Sequence, residues 1–169
     1  MTIKIQKCGN NVTVPKYQHK GDAGVDFHAD NFKKLFYPVM VDGQGWAESE
    51  DNLEESLEKI TLNPGCRVLI GTGLKMEIPE GIELQVRPRS GLALKAGVTV
   101  VNSPGTIDMS YKGEIGIILI NHSVMPYTIK KGERIAQGVF NKFETVKFEE
   151  GELSESERGQ GGFGSSGKN

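Results

Sequence analysis

The strongest constraint on what this chain can fold into is a recurring pattern of short, alternating segments closed off by turn signals. "TIKIQK" (2–7), "IELQVR" (82–87), "GVTVV" (97–101) and "YTIKKG" (127–132) alternate apolar and polar residues. Period two sends successive side chains to opposite faces of a strand, so these segments read as half-buried strands. "RVLIG" (67–71), "IGIILI" (115–120) and "RIAQGVF" (134–140) are apolar, rich in β-branched residues, and preceded by "NPG", "KGE" and "KKGE". They read as buried strands entered from turns. Many short strands at this spacing predict an all-β domain, an antiparallel sandwich or barrel, and not a strand–helix–strand repeat.

One segment carries a helical period. In "AESEDNLEESLEKI" (47–60), Leu53, Leu57 and Ile60 fall at i, i+4 and i+7, and Asp51 with Glu54 resembles a capping box. It lies within a stretch, about 31–59, that is sparse in strand signals, strongly acidic after Ala47, and holds the single tryptophan, Trp46. That stretch reads as a partly helical insertion into the β domain, either a tolerated surface elaboration or a contact surface for a protein partner.

The 169 residues suffice for one domain with a real core. A net charge of −2 supplies no general field toward nucleic acid or membrane, so an anionic ligand must be held by a local cluster. Cys8 and Cys66 stand far apart and outside any metal spacing, as do His19, His28 and His122, and read as reduced thiols and structural imidazoles. The N-terminus "MTIKIQKCGN" has no apolar leader core, and no apolar run approaches membrane-spanning length, so a soluble, cytoplasmic protein is expected.

The C-terminus "RGQGGFGSSGKN" nearly spells a phosphate loop. The context of such a loop is missing: "ELSESE" precedes the glycines instead of a buried strand, and no helix can follow Asn169. Arg158 and Phe163 nevertheless give this glycine strip a cationic fork and a ring, which a purely solvating tail does not need. The same vocabulary recurs upstream. "AGVDF" (23–27) sets Asp26 among small and apolar residues, "RPRSG" (87–91) closes a predicted strand with Arg87, Arg89, Ser90 and Gly91, "NSPGTIDMSYKGE" (102–114) holds Asp108 and Tyr111, and "GERIAQ" (132–137) adds Arg134 and Gln137.

In this order, those segments together with "RGQGGFGSSG" (158–167) resemble the five motifs of the trimeric dUTPase family. The likeness covers nearly the whole chain except the 31–59 stretch, which has no counterpart in compact members of that family. It implies a jelly-roll-like distorted β-barrel over 1–157, assembled as a homotrimer with shared active sites, and a mobile phosphate-binding arm over 158–169. It further implies Mg²⁺-dependent hydrolysis of dUTP to dUMP and pyrophosphate, limiting uracil in DNA and supplying dUMP for thymidylate synthesis.

The resemblance carries roles onto single residues. Asp108 would be the catalytic carboxylate that orients and deprotonates a water for attack on the α-phosphorus. Tyr111 would pack on the deoxyribose and refuse a 2′-hydroxyl. Asn102, with the backbone of Gly105, Thr106 and Ile107, would read the uracil edge, and Phe163 would stack on the base. Arg89, Ser90, Gly91 and Gln137 would contact phosphates, joined by Arg158 and the amides around Gly164, Ser165 and Ser166. Asp26 would hold Mg²⁺ through water. Two positions depart from the family pattern: Met109-Ser110 before Tyr111, where an acid is usual at the second place, and Glu133, where Asp is commoner. Two alternatives remain, a dCTP deaminase of the same fold and a nucleotide-switched regulatory protein using the insertion. The first needs a base for attack on a pyrimidine carbon, and the second needs a two-state arm.

Overall fold

The structure, a computed structural model, describes residues 1–41, 45–54, 56–156 and 159–161. Among them thirteen strands and one short helix make up the regular structure. One four-stranded sheet has the order β10 (Gly105–Ile107), β8 (Ile82–Arg87), β13 (Arg134–Lys142), β2 (Val25–His28). A five-stranded sheet has the order β4 (Gly45–Asn52), β3 (Asn31–Val41), β6 (Arg67–Gly71), β11 (Gly116–Asn121), β9 (Val98–Val100). Two antiparallel pairs, β1 (Lys4–Lys7) with β7 (Leu74–Glu77) and β12 (Tyr127–Lys130) with β5 (Lys59–Leu62), complete the β fold.

Alternation in the sequence becomes alternation in burial. In β11, Ile117, Leu119 and Asn121 point inward while Ile118 and Ile120 are half-buried, and in β8 Leu84 and Val86 are buried while Gln85 and Arg87 face away. The inward side chains Phe27, Phe32, Leu62, Ile70, Leu84 and Ile135 belong to one core cluster, each at most 1% exposed. Burying each such side chain contributes about 1.5–3 kcal/mol relative to leaving it in water. The buried polar Asn121 is fully used: its Nδ2 donates to the Leu62 and Met125 carbonyls (2.9 and 2.8 Å), and its Oδ1 accepts from the Ser123 amide (2.8 Å). Cys66 is buried and Cys8 exposed, both free thiols. No helix among the described residues is long and apolar enough to cross a membrane.

The 31–59 stretch corrects the expectation of a helix. Residues 45–52 form β4, paired with β3 from Lys34↔Asn52 to Val41↔Gly45, so Asp51 stands opposite Leu35 instead of capping a helix. Cross-strand charges support the pairing: Lys34 Nζ lies 2.9 Å from Glu50, and Arg67 of β6 reaches Glu48 at 2.6 Å while its guanidinium covers the Phe36 ring. Leu53 and Leu57 do pack against the core, but from the connection to β5, and Ile60 is an inward residue of that strand. Their helical spacing is coincidental, and tertiary pairing decides the structure. Helix instead appears at α1 (Ser90–Ala96), ended by Gly97, where seven residues with only Leu92 buried are too few to show a period.

Candidate active site

The residues expected to act on a nucleotide gather in two groups on the four-stranded sheet. The first is built on its β8–β13–β2 side. Gln137 of β13 stands opposite Asp26 of β2 on one side and Arg87 of β8 on the other, so the three are level across neighbouring strands. Their neighbours Val25, Phe27, Ala136 and Val86 are buried, which turns these polar side chains to the opposite face.

Asp26 is the anchor of this group. Its carboxylate accepts from Arg89 Nε at 3.1 Å and from Arg134 Nη1 at 3.0 Å, and Arg89 Nη1 donates to the Arg134 carbonyl at 2.9 Å. Arg89 is thereby clamped by two of its nitrogens, and among the described residues Nη2 has no partner, which leaves it for an anion. Ser90 and Gly91 follow at once as the first residues of α1, where no side chain caps the helix and a Cβ on Gly91 would meet nothing within 4 Å. Their open backbone amides and the free space beside them suit a phosphate. Behind Arg89, Tyr127 donates a short hydrogen bond to Glu133, and burial, that bond and the Glu133 charge push the phenol up to about 12.

The second group lies on β10 and the turn that follows. Asn102 is exposed in the loop before β10, which contains the cis Ser103–Pro104 bond, and Gly105, Thr106 and Ile107 pair with Val86, Gln85 and Leu84. Asp108 comes next. Its Oδ1 accepts three bonds, from the Ser110 hydroxyl (2.6 Å), the Ser110 amide (2.9 Å) and the Tyr111 amide (3.1 Å). These donors, the Ser110 hydroxyl foremost, hold the Asp108 carboxyl below its ordinary value. Among the described residues Oδ2 has no partner, so one oxygen fixes the carboxylate and the other is free for a water. Tyr111 keeps a half-open ring while its hydroxyl donates to the Glu114 carbonyl at 2.7 Å.

These groups do not meet within one chain. β10 runs antiparallel to β8, so the path from Gly105 to Asp108 leads toward the Glu83 end, while Arg89, Ser90 and Gly91 follow the opposite end. Arg158, Phe163, Gly164, Ser165 and Ser166, and the boundary expected at 157/158, lie outside the described residues. The positioning roles of Arg134 and Ser110 were missed by sequence reasoning: the Arg134–Asp26 contact spans 108 positions, which no local pattern signals. Ser110 had appeared only as a departure from an expected acid, and it serves the same turn by donating to Asp108. For a cation, Asp26 offers oxygen chemistry suited to Mg²⁺: a carboxylate has about four acceptor sites and the guanidinium bonds take two of them, leaving room for metal-bound water. No group of three or more His, Cys, Asp or Glu side chains able to hold a metal directly occurs among the described residues.

The chain is 45% identical over 168 residues to the deoxyuridine 5'-triphosphate nucleotidohydrolase of Clostridium tetani, covering 99% of this chain and 97% of that protein. The Nautilia profundicola protein of the same name is 46% identical over 171 residues, covering 99% and 100%. Among solved structures, a Staphylococcus bacteriophage 80alpha dUTPase variant with dUpNHpp superposes with a TM-score of 0.76 at 27% identity, covering 98% of each chain. A dUTPase from phage phi11 of S. aureus, described with a structural Mg(II) ion, shares the fold with a TM-score of 0.69 at 21% identity, covering 90% of this chain and 98% of that one. The dUTPase family model matches residues 55–167, which contain the Asp108 turn, the clamped Arg89 and Gln137, and with the near-complete alignments to the bacterial relatives this establishes that the chain belongs to the dUTPase family.

Proposed function

We propose that this protein hydrolyses dUTP to dUMP and pyrophosphate, with Asp108 as the base. The observation that carries the reading is the asymmetric carboxylate, with Oδ1 held by three donors and Oδ2 open, set between Asn102 and Tyr111 in one turn-rich segment. Oδ2 takes a proton from water as the water oxygen bonds to the α-phosphorus and the bond from that phosphorus to the bridging oxygen breaks, releasing pyrophosphate. A base held below its ordinary value is ionised at neutral pH, so orientation contributes more than basicity. Arg89, the Ser90 and Gly91 amides and Gln137 bind phosphate oxygens, and the arm from Arg158 with Phe163, Gly164, Ser165 and Ser166 completes the enclosure. Asn102 with the β10 backbone takes the uracil edge, and the Tyr111 ring takes the sugar. Asp26 would hold Mg²⁺ through its waters, and the ion, when bound, offsets the triphosphate charge.

The opposed directions of the two half-sites along β8 support an assembly in which one subunit's Asp108 segment meets another's Arg89 segment, and we assign a homotrimer. Phe148 and Leu153, 96% and 95% exposed after β13, suit burial against such a copy. We place the enzyme in the cytoplasm.

The test is incubation with Mg²⁺ and, separately, dUTP, dCTP, dTTP and UTP, with pyrophosphate and ammonia both assayed. Pyrophosphate from dUTP and not from the other three is expected. Ammonia from dCTP would replace the reading with a deaminase, and no product from any nucleotide would remove the enzymatic reading.

A further inference from the structure

Tyr111 meets the rest of the molecule through its hydroxyl, which donates to the main-chain carbonyl of Glu114 at 2.7 Å. The ring lies across Gly113 so closely that a Cβ there would sit 2.7 Å from the hydroxyl oxygen, and the segment between the two residues has no slack. Where the ring stands therefore depends on where Glu114 stands.

Glu114 is held by its own side chain. The carboxylate, 15% exposed, accepts from Lys33 Nζ at 2.5 Å, Asn31 Nδ2 at 2.9 Å and the Gly73 amide at 2.8 Å. Asn31 Nδ2 also reaches Asp30 at 3.2 Å, and a Cβ on Gly71 would collide with both the Glu114 and Asn31 side chains. Burial raises the Glu114 carboxyl, and the bonds from Lys33, Asn31 and Gly73 outweigh it, leaving the group below its ordinary value and charged. Asn31 and Lys33 belong to β3, so the strand that leads into the hairpin grips the residue that grips Tyr111.

We propose that Glu114, clamped by Asn31, Lys33 and the Gly73 amide, is a positioning residue for sugar discrimination: it fixes the Tyr111 ring at the place where a 2′-hydroxyl would otherwise fit. This rests on the dUTPase reading of Tyr111. Glu114 touches no substrate, and its effect passes through one carbonyl and one hydroxyl. β3 then belongs to the specificity apparatus as well as to the hairpin.

The test uses the full-length protein and the ratio of kcat/KM for dUTP to that for UTP. Loss of the one hydrogen bond that anchors the ring corresponds to about a tenfold change, so Glu114→Ala, which frees the carbonyl accepting that bond from its carboxylate tether, should lower the ratio by up to about tenfold. Tyr111→Phe, which deletes the hydroxyl and keeps the ring, should lower it by a similar factor. The double variant should be no worse than the poorer single one, because both cut the same link. Lys33→Met should shift the ratio in the same direction by a smaller factor. Val98→Ala, at a buried core position paired with Asn121 at the end of β11 away from Glu114, controls for loss of stability: its melting temperature should fall while the ratio stays at the wild-type value. If wild-type protein hydrolyses dUTP but Glu114→Ala retains the wild-type ratio, or the two single effects simply multiply, the proposal is wrong and the reading stands. If wild-type protein hydrolyses neither nucleotide, the reading on which the proposal rests fails first.

Discussion

Asp108→Asn and Arg89→Met, each expected to be nearly inactive alone, should restore one another when their subunits share an oligomer. In the register of β10 on β8, Ile107 stands opposite Leu84 and Asp108 continues away from Arg87. Leu84 and Arg87 lie three residue steps apart along β8, roughly 10 Å at about 3.3 Å per step, and Arg89 lies beyond. A site that needs both, as proposed, would therefore draw Asp108 from one chain and Arg89 from another. With equal mixing, half of the Asp108 positions and half of the Arg89 positions are intact, so about one site in four joins two intact halves, whatever the size of a symmetric ring. The Asp108→Asn parent should retain about 1% of turnover or less, given the roughly 10²–10⁴-fold worth of a positioned base, and the Arg89→Met parent a similar fraction, given the roughly 10²–10³-fold cost of losing one donor to developing charge. The assay is pyrophosphate release at saturating dUTP after joint unfolding and refolding, with mixed oligomers verified by differently tagged chains. About one quarter of wild-type turnover is expected. Mixed oligomers no more active than the average of the parents would refute the argument and return both halves to a single chain.

Removing the Ser110 hydroxyl by Ser110→Ala should raise the Asp108 carboxyl toward its ordinary value, so the acid limb of the kcat–pH profile moves to higher pH; an unmoved limb would show that Ser110 does not tune this group. His28 has a folded value lowered chiefly by burial, against the pull of Asp26 and with the push of Arg134 and Arg89, and its Nδ1 is buried with no partner among the described residues. The unfolded chain therefore takes up the proton first, so stability should decline as pH falls through about 6.5, and urea midpoints at pH 7 and 5.5 should differ less in His28→Gln than in wild type. Deleting residues 158–169 should leave the thermal midpoint nearly unchanged and reduce turnover severely, as followed by calorimetry and pyrophosphate release. Leu62→Ala, at a core position 0% exposed, should lower stability by about 2–5 kcal/mol in urea unfolding with the slope preserved.

Much of the sheet could be read in advance where alternation was uninterrupted. β6 and β8 begin and end where the apolar pattern does, since one buried face requires every second residue to be apolar. β3 and β4 escaped notice because their support is not periodic. β3 carries Pro38, which suits no central strand, but its pairing with β6 stops at Phe36 and only β4 continues beside the proline. β4 carries Glu48, Glu50 and Asp51, whose place is set by Arg67, Lys34 and backbone pairing instead of an apolar face. At the site, ordered motifs singled out Asp26, Arg89, Asp108 and Gln137 as candidates, because spacing within a turn is a local property. The Arg134 clamp and the Glu114 anchor depend on which strands the fold brings together, and that information lies in topology; the Ser110 bond is local, but nothing in the residue type alone signals that its hydroxyl turns to Asp108.

The clamp on Arg89 has a consequence for how the enzyme divides its work between rigidity and motion. A free arginine side chain carries about 2 kcal/mol of rotamer entropy, and a phosphate that had to arrest it would bind more weakly by much of that amount. With Nε and Nη1 already engaged by Asp26 and the Arg134 carbonyl, the arrest happens when the protein folds. In the proposed site Arg89 would meet the nucleotide as a preset template, and the ordering cost of capture would fall on whatever closes over it afterward.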